Sequence, residues 1–216
     1  MTTPKTIRIP FIEGLENLSD NMLENVLRTE GVPGAVDVLN WPDEFAYSPK
    51  TEFRMARCAS GIAILFDVCG KDLRATALED NGRSWEDSCC EFFICPGGEA
   101  YFNVETTCIG SVLMARGTGR NDRVQLPLPE VAKVRRFSSL EHKEYNIEGG
   151  EHKWTLCILV PFEIIGLDPQ NLPSSVKGNV YKCADLAATP HFVSWSPIGT
   201  QHPDFHCPEY FGTFEF

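Results

Sequence analysis

Short runs of alternating apolar and polar residues recur along most of this chain, and one helical stripe precedes them. Thr51 to Cys58, Gly61 to Cys69 and Asp72 to Leu78 are such runs, separated only by Ala59-Ser60 and Gly70-Lys71. That spacing predicts an antiparallel meander. Ser88 to Cys95 and Tyr101 to Thr107 flank Pro96-Gly97-Gly98-Glu99, whose turn chemistry predicts a hairpin. Further strands are predicted at Thr6 to Pro10, Ser111 to Arg116, Val131 to Phe137, Lys153 to Val160, Val180 to Cys183, His191 to Trp195 and Tyr210 to Phe216. In Lys153 to Val160 the period of two puts Trp154, Leu156, Ile158 and Val160 on one face.

The helical stripe is Met22, Leu23, Val26 and Leu27, in a helix predicted over Leu18 to Gly31. Ser19 is placed to cap it, Asp20 suits its positive end, and Gly31 is placed to stop it. Val32-Pro33-Gly34 reads as a break, Gly119 to Pro129 as a long loop, and Pro161 to Ile165 as a short helix. With no internal repeat or linker, the expectation is one domain: an N-terminal extension, residues 1–39, packed on a module spanning 40–216. Ten or so short strands with Gly and Pro turns predict an all-β, antiparallel two-sheet sandwich of jelly-roll type.

The central hairpin carries the candidate chemistry. Alternation places Glu91 with Cys89 and Phe93, and Tyr101 with Asn103 and Glu105, opposite Phe92, Ile94, Phe102 and Val104. In register, Glu91, Asn103 and Glu105 form a polar cluster on one sheet face, with Trp85 just outside the strand. An indole beside hydrogen-bonding groups is what a pyranose needs, since its ring has apolar C–H faces and a polar rim. The plainer alternative is a half-exposed sheet whose polar face is wet.

Charge narrows the partners. A net charge of -11 over 216 residues, with no basic patch, argues against nucleic acid or an anionic membrane surface. No apolar run is long enough to span a bilayer, and the N-terminus does not read as a secretory signal. Nine cysteines, several inside apolar strand patterns, suit buried reduced thiols, so a cytoplasmic location is expected, or a secreted or periplasmic one if a signal is missing from the sequence. No CxxC pair occurs, which argues against a structural zinc site.

The last quarter of the chain is the most specific. Trp195-Ser196-Pro197, Asp204-Phe205-His206, Pro208-Glu209 and Phe211-Gly212-Thr213-Phe214 resemble the end of family 9 carbohydrate-binding modules, above all the stand-alone "family 9-like" proteins of gut Bacteroidetes. Trp85-Glu86-Asp87-Ser88 leading to Glu91 is similar to the family's Trp-x-Asp-(Ser/Asp)-x-x-Glu segment, Tyr101 to Glu105 to its following strand, and Trp154 to Pro161 to its Trp-x-x-x-(Ile/Val)-x-(Ile/Val)-Pro strand. The resemblance implies a sandwich that binds oligo- or polysaccharide, supports breakdown of xylan- or cellulose-type glycans, and has glycoside hydrolases among its partners. It makes Trp85 and Trp195 two stacking walls around a sugar ring, with Glu91 and Asn103 as polar contacts and Lys182 as a further candidate beside Glu105. No cofactor is required. A structural calcium is compatible with the family, and Asp80, Asp87 and Asp185 are its candidate ligands, although no contiguous calcium loop stands out.

Three rivals remain at this stage. Glu91 and Glu105 suit a glycosidase's acid and nucleophile or base. His191, His202, His206 and Cys207 suggest a metal site, but Pro203 and Pro208 deny His202 and His206 the helix that would bring them together. The third is a sandwich whose aromatics, Trp41 included, serve protein contacts.

Overall fold

The computed structural model describes residues 3–216. Its first sheet runs in the order Thr6–Arg8, Gly212–Glu215, Ser175–Ala184, Cys89–Cys95, Tyr101–Thr107, Val112–Gly117 and Val124–Gln125. His191–Ser194 also pairs with Ser175–Ala184, and Val38–Leu39 pairs with His191–Ser194. The second sheet runs Arg135–Ser138, His152–Pro161, Gly61–Gly70, Lys50–Arg57 and Val32–Ala35. All neighbours are antiparallel except Thr6–Arg8 with Gly212–Glu215. The two-sheet sandwich is therefore the architecture, and no helix among the described residues is long and apolar enough to cross a membrane.

Alternation explains the core. Phe92, Ile94, Phe102, Val104 and Val180 project inward from the first sheet and meet Phe53, Ile64, Phe66, Trp154, Leu156 and Ile158 from the second. The intervening residues point outward, and both outer faces are covered. On the second sheet the Asp20–Glu30 helix lays Leu23 and Leu27 over Ala63, Leu65, Cys157 and Leu159. On the first sheet Trp41, Ile198, Phe205 and Phe211 come from loops to close over Phe93, Tyr101 and Tyr181. The outer face of the hairpin is thus a second core, not a wet surface.

Several elements depart from the reading of the chain. Val32–Ala35 is an edge strand paired with Lys50–Arg57, not a break, because an edge strand tolerates a proline. Gly34 is needed there for space, since a Cβ would lie 2.1 Å from the Phe53 ring. Leu73–Ala75 leaves the meander and pairs with Tyr145–Ile147, where the Asp72 carboxylate accepts a hydrogen bond from the Gly149 amide at 2.7 Å. The run Val131 to Phe137 divides into a short helix, Leu128–Val131, and the strand Arg135–Ser138. The segment before residue 40 supplies strands to both sheets through Thr6–Arg8, Val32–Ala35 and Val38–Leu39.

Candidate functional site

Three neighbouring strands build the site. Glu91 lies opposite Glu105 on one side and Tyr181 on the other, and Cys89 lies opposite Cys183. All five side chains stand on the outer face, so the period of two has gathered two carboxylates and two thiols under the covering loops. Over them opens a cleft of about 260 Å3. Trp85, Phe192 and Phe205 supply its aromatic lining; Glu91, Glu105, Asp185 and Asp204 supply its carboxylates; Arg120 and Arg123 supply its cations.

The polar groups are only partly paired. Glu105 Oε1 accepts from Asn103 Nδ2 at 2.9 Å and from Arg123 at 3.3 Å, while its Oε2 is buried with no partner. Glu91 Oε1 accepts from the Cys183 thiol at 3.0 Å and, among the described residues, forms no ion pair, while Arg123 pairs with Glu105. Burial, then the nearby Glu105 charge, pushes the Glu91 carboxyl well above the usual range; burial pushes Glu105 up against the pull of Arg123. Burial raises Asp185 to about 6. His206 is pushed down to about 3 by burial and by Arg123 and Arg120, and its Nδ1 shares a 2.9 Å hydrogen bond with the Tyr101 hydroxyl. Arg120 is held by the Asp204 carboxylate at 3.1 Å.

The expected site residues divide on this geometry. Trp85, Glu91 and Glu105 meet in the cleft. Asn103 lies beneath it, fully buried, and reaches the cleft only through Glu105. Trp195 does not form a wall: it is 4% exposed in the central core, stacked on Phe214 at 5.3 Å and edge-on to Phe53. The reason is the period of two, since Trp195 continues the inward set begun by Val193. Lys182 likewise points inward, 2% exposed, donating to the Cys183 carbonyl at 2.7 Å and to His191 Nε2 at 2.9 Å beneath the Trp154 ring. Arg120, Arg123, Phe192 and Phe205 were not legible, because they come from loops and a short strand that alternation does not rank.

The candidate calcium ligands do not converge, and the residues present do not fit the ion. Asp80 pairs with Arg136 and accepts from the Val112 amide. Asp87 is spent on the Thr76 and Ala77 amides at 2.7 Å each and on the Thr76 hydroxyl. Asp185 alone reaches the cleft. The histidines are equally dispersed: His191 meets Lys182, His202 meets Glu44, and His206 meets Tyr101. Trp41 belongs to the second core, its indole donating to the Thr200 carbonyl.

A β-sandwich with an aromatic, carboxylate-lined cleft on a covered sheet face defines a small-ligand binding module. The chain matches the family described as Carbohydrate-binding family 9 over residues 21–216, and it belongs to that family. It is similar over 99% of its length, and 100% of the other chain, to a presumed carbohydrate-binding protein from Bacteroides uniformis ATCC 8492, with 34% identity and a TM-score of 0.89. Two structures of a family 9 module from Caldicellulosiruptor kristjanssonii, one in complex with glucose and one with cellotriose, share the fold at 10% and 12% identity and TM-scores of 0.55 and 0.50. Each comparison covers 98% of this chain, and 95% and 93% of those modules respectively. No curated protein sequence matches the chain significantly.

Proposed function

We propose that this protein binds a small saccharide, or one end of an oligosaccharide, in the cleft beside Trp85, and acts without chemistry of its own. The observation that carries the reading is the pairing of an indole with buried carboxylate oxygens, one of them unpartnered, in a single recess. Sugar hydroxyls donate to such oxygens, and Glu105 Oε2 has no partner in the protein to compete with them. The Trp85, Phe192 and Phe205 rings offer apolar surface for the C–H faces, and Arg120 and Arg123 offer donors for the ring and linkage oxygens. At about 260 Å3 the recess is smaller than the roughly 300–1,000 Å3 of drug-sized sites, which suits one or two rings. Family membership and the sugar complexes of the distant modules support the same ligand class. A role beside glycoside hydrolases in xylan- or cellulose-type breakdown is part of the same proposal.

Calorimetric titration with glucose, cello-oligosaccharides and xylo-oligosaccharides tests the proposal. Binding by the parent that weakens at least tenfold, about 1.4 kcal/mol, in Trp85→Ala supports it. A folded parent that is silent across the panel overturns it.

One observation favours a second reading, a glycosidase. Glu91 and Glu105 face each other on adjacent strands, and both carboxyl groups line the cleft, as the two acids of a glycosidase must. A Glu91→Gln or Glu105→Gln variant that still binds, set against a parent that releases reducing ends, identifies that chemistry.

A further inference from the structure

Cys89, Glu91 and Cys183 form a cluster whose two thiols saccharide binding does not use. Cys89 and Glu91 are two apart on one strand and so share its outer face; Cys183 faces Cys89 across the ladder. Their two sulfurs and a carboxylate oxygen lie within 4.8 Å of one another, and all three residues are buried. The Cys183 thiol already points at Glu91 Oε1, 3.0 Å away. No disulfide joins the cysteines. Two sides of the cluster are rigid β-ladder, and the third opens, through Glu91 and Cys183, into the cleft.

We propose that these three side chains bind one thiophilic divalent cation, zinc(II) by preference, with a fourth coordination position facing the cleft. Bond lengths of about 2.3 Å to sulfur and about 2.0–2.2 Å to oxygen require neighbouring donor atoms roughly 3.3–3.8 Å apart in a tetrahedron, a span that rotamer adjustment reaches from the present arrangement. Two thiolates select zinc over calcium or magnesium, whose preferred ligands are all oxygen. Three protein donors with an open position is the pattern of a zinc site that holds a water or a ligand oxygen, not that of a closed structural site. The two thiol protons, and the Glu91 proton when the carboxyl carries one, leave to solvent through the cleft as the ion enters by the same route. The apolar surroundings of Cys89, and the Cys183–Glu91 contact, hold the donors in place before the metal arrives. This site stands whether or not the cleft accepts a sugar.

The test uses the full chain, stripped of metal by chelator under a phosphine reductant, and cobalt(II) and zinc(II) as probes. One equivalent of cobalt(II) is expected to give near-ultraviolet thiolate-to-cobalt absorption, and zinc(II) to abolish it. Cys89→Ser and Cys183→Ser are each expected to weaken zinc by at least about 100-fold in competition with a chromogenic chelator. A Cys69→Ser/Cys207→Ser variant, which removes the two partly exposed thiols, is expected to bind as the parent does. Should a serine variant fail to fold, two further measurements decide: Glu91→Gln, with cobalt–thiolate absorption retained and zinc weakened, and mapping of the cysteines that zinc protects from alkylation. Absence of thiolate absorption in the folded parent overturns the site. So does binding lost in Cys69→Ser/Cys207→Ser, or zinc protection of cysteines other than Cys89 and Cys183.

Discussion

The hairpin Cys89–Cys95 and Tyr101–Thr107 has two faces that are equally buried and differ in everything else. Inward, Phe92, Ile94, Phe102 and Val104 join a continuous apolar core. Outward, Glu91, Asn103 and Glu105 stand among Phe93, Tyr101 and two thiols under a lid of loops. The inner face gains its stability from apolar area removed from water, at roughly 25 cal/mol per Å2. The outer face takes carboxyl groups out of water without full compensation, and the raised proton affinities of Glu91 and Glu105 record that cost. Burial that stabilises on one side of a strand is, on the other, a cost carried by the carboxyl groups.

The contrast breaks most strongly at Trp195. Trp195→Ala removes an indole from between Phe53 and Phe214, and a loss of about 3–5 kcal/mol in urea unfolding is expected, the effect of a core truncation and not of a lost ligand wall. Gly178→Ala tests the same side: a Cβ there would lie 2.3 Å from the Phe214 ring and 2.4 Å from the Phe93 carbonyl, so a loss of about 1–3 kcal/mol is expected. Trp85→Ala should do the reverse, weakening saccharide binding at least tenfold while costing at most about 1 kcal/mol of stability, because Trp85 is half-buried at the rim.

Two further effects, of opposite sign, are in pH. His191, inward, is pushed from 6.5 to about 3, chiefly by burial and then by Lys182. Below pH 6.5 the unfolded chain takes up the proton that the folded one refuses, so the parent loses stability relative to His191→Gln as pH falls from 6.5 towards 3. Asp185, outward, is raised from 3.8 to about 6. Its contribution is complete below pH 3.8 and lost as pH rises through 6, so the parent loses stability relative to Asp185→Asn over that rise. Thermal midpoints of the two pairs across pH 3–8 check both slopes; parallel trends would dissolve the contrast.

Much of this was legible in the chain. Alternation placed Glu91, Asn103 and Glu105 on one face of the right hairpin, and the Leu23–Leu27 stripe marked the helix that covers the second sheet. Trp195 and Lys182 misled because a tryptophan in a family motif and a lysine in a strand carry no label for the face they occupy. Each lies on the inward set, and only the pairing of Ser175–Ala184 with its neighbours fixes that set.

The sequence by itself determined most of the long strands, the sandwich and the carboxylate face, because a period of two and turn chemistry are local properties; the edge strand Val32–Ala35 escaped it. Tertiary structure alone decided that this face is covered by loops from residues 41 and 198–211, that Arg123 reaches Glu105, and that Cys183 comes to rest against Cys89 and against Glu91, 92 residues away along the chain. Those juxtapositions depend on which strands become neighbours, and strand neighbours are chosen by the packing of the whole core, not by the spacing of any one motif.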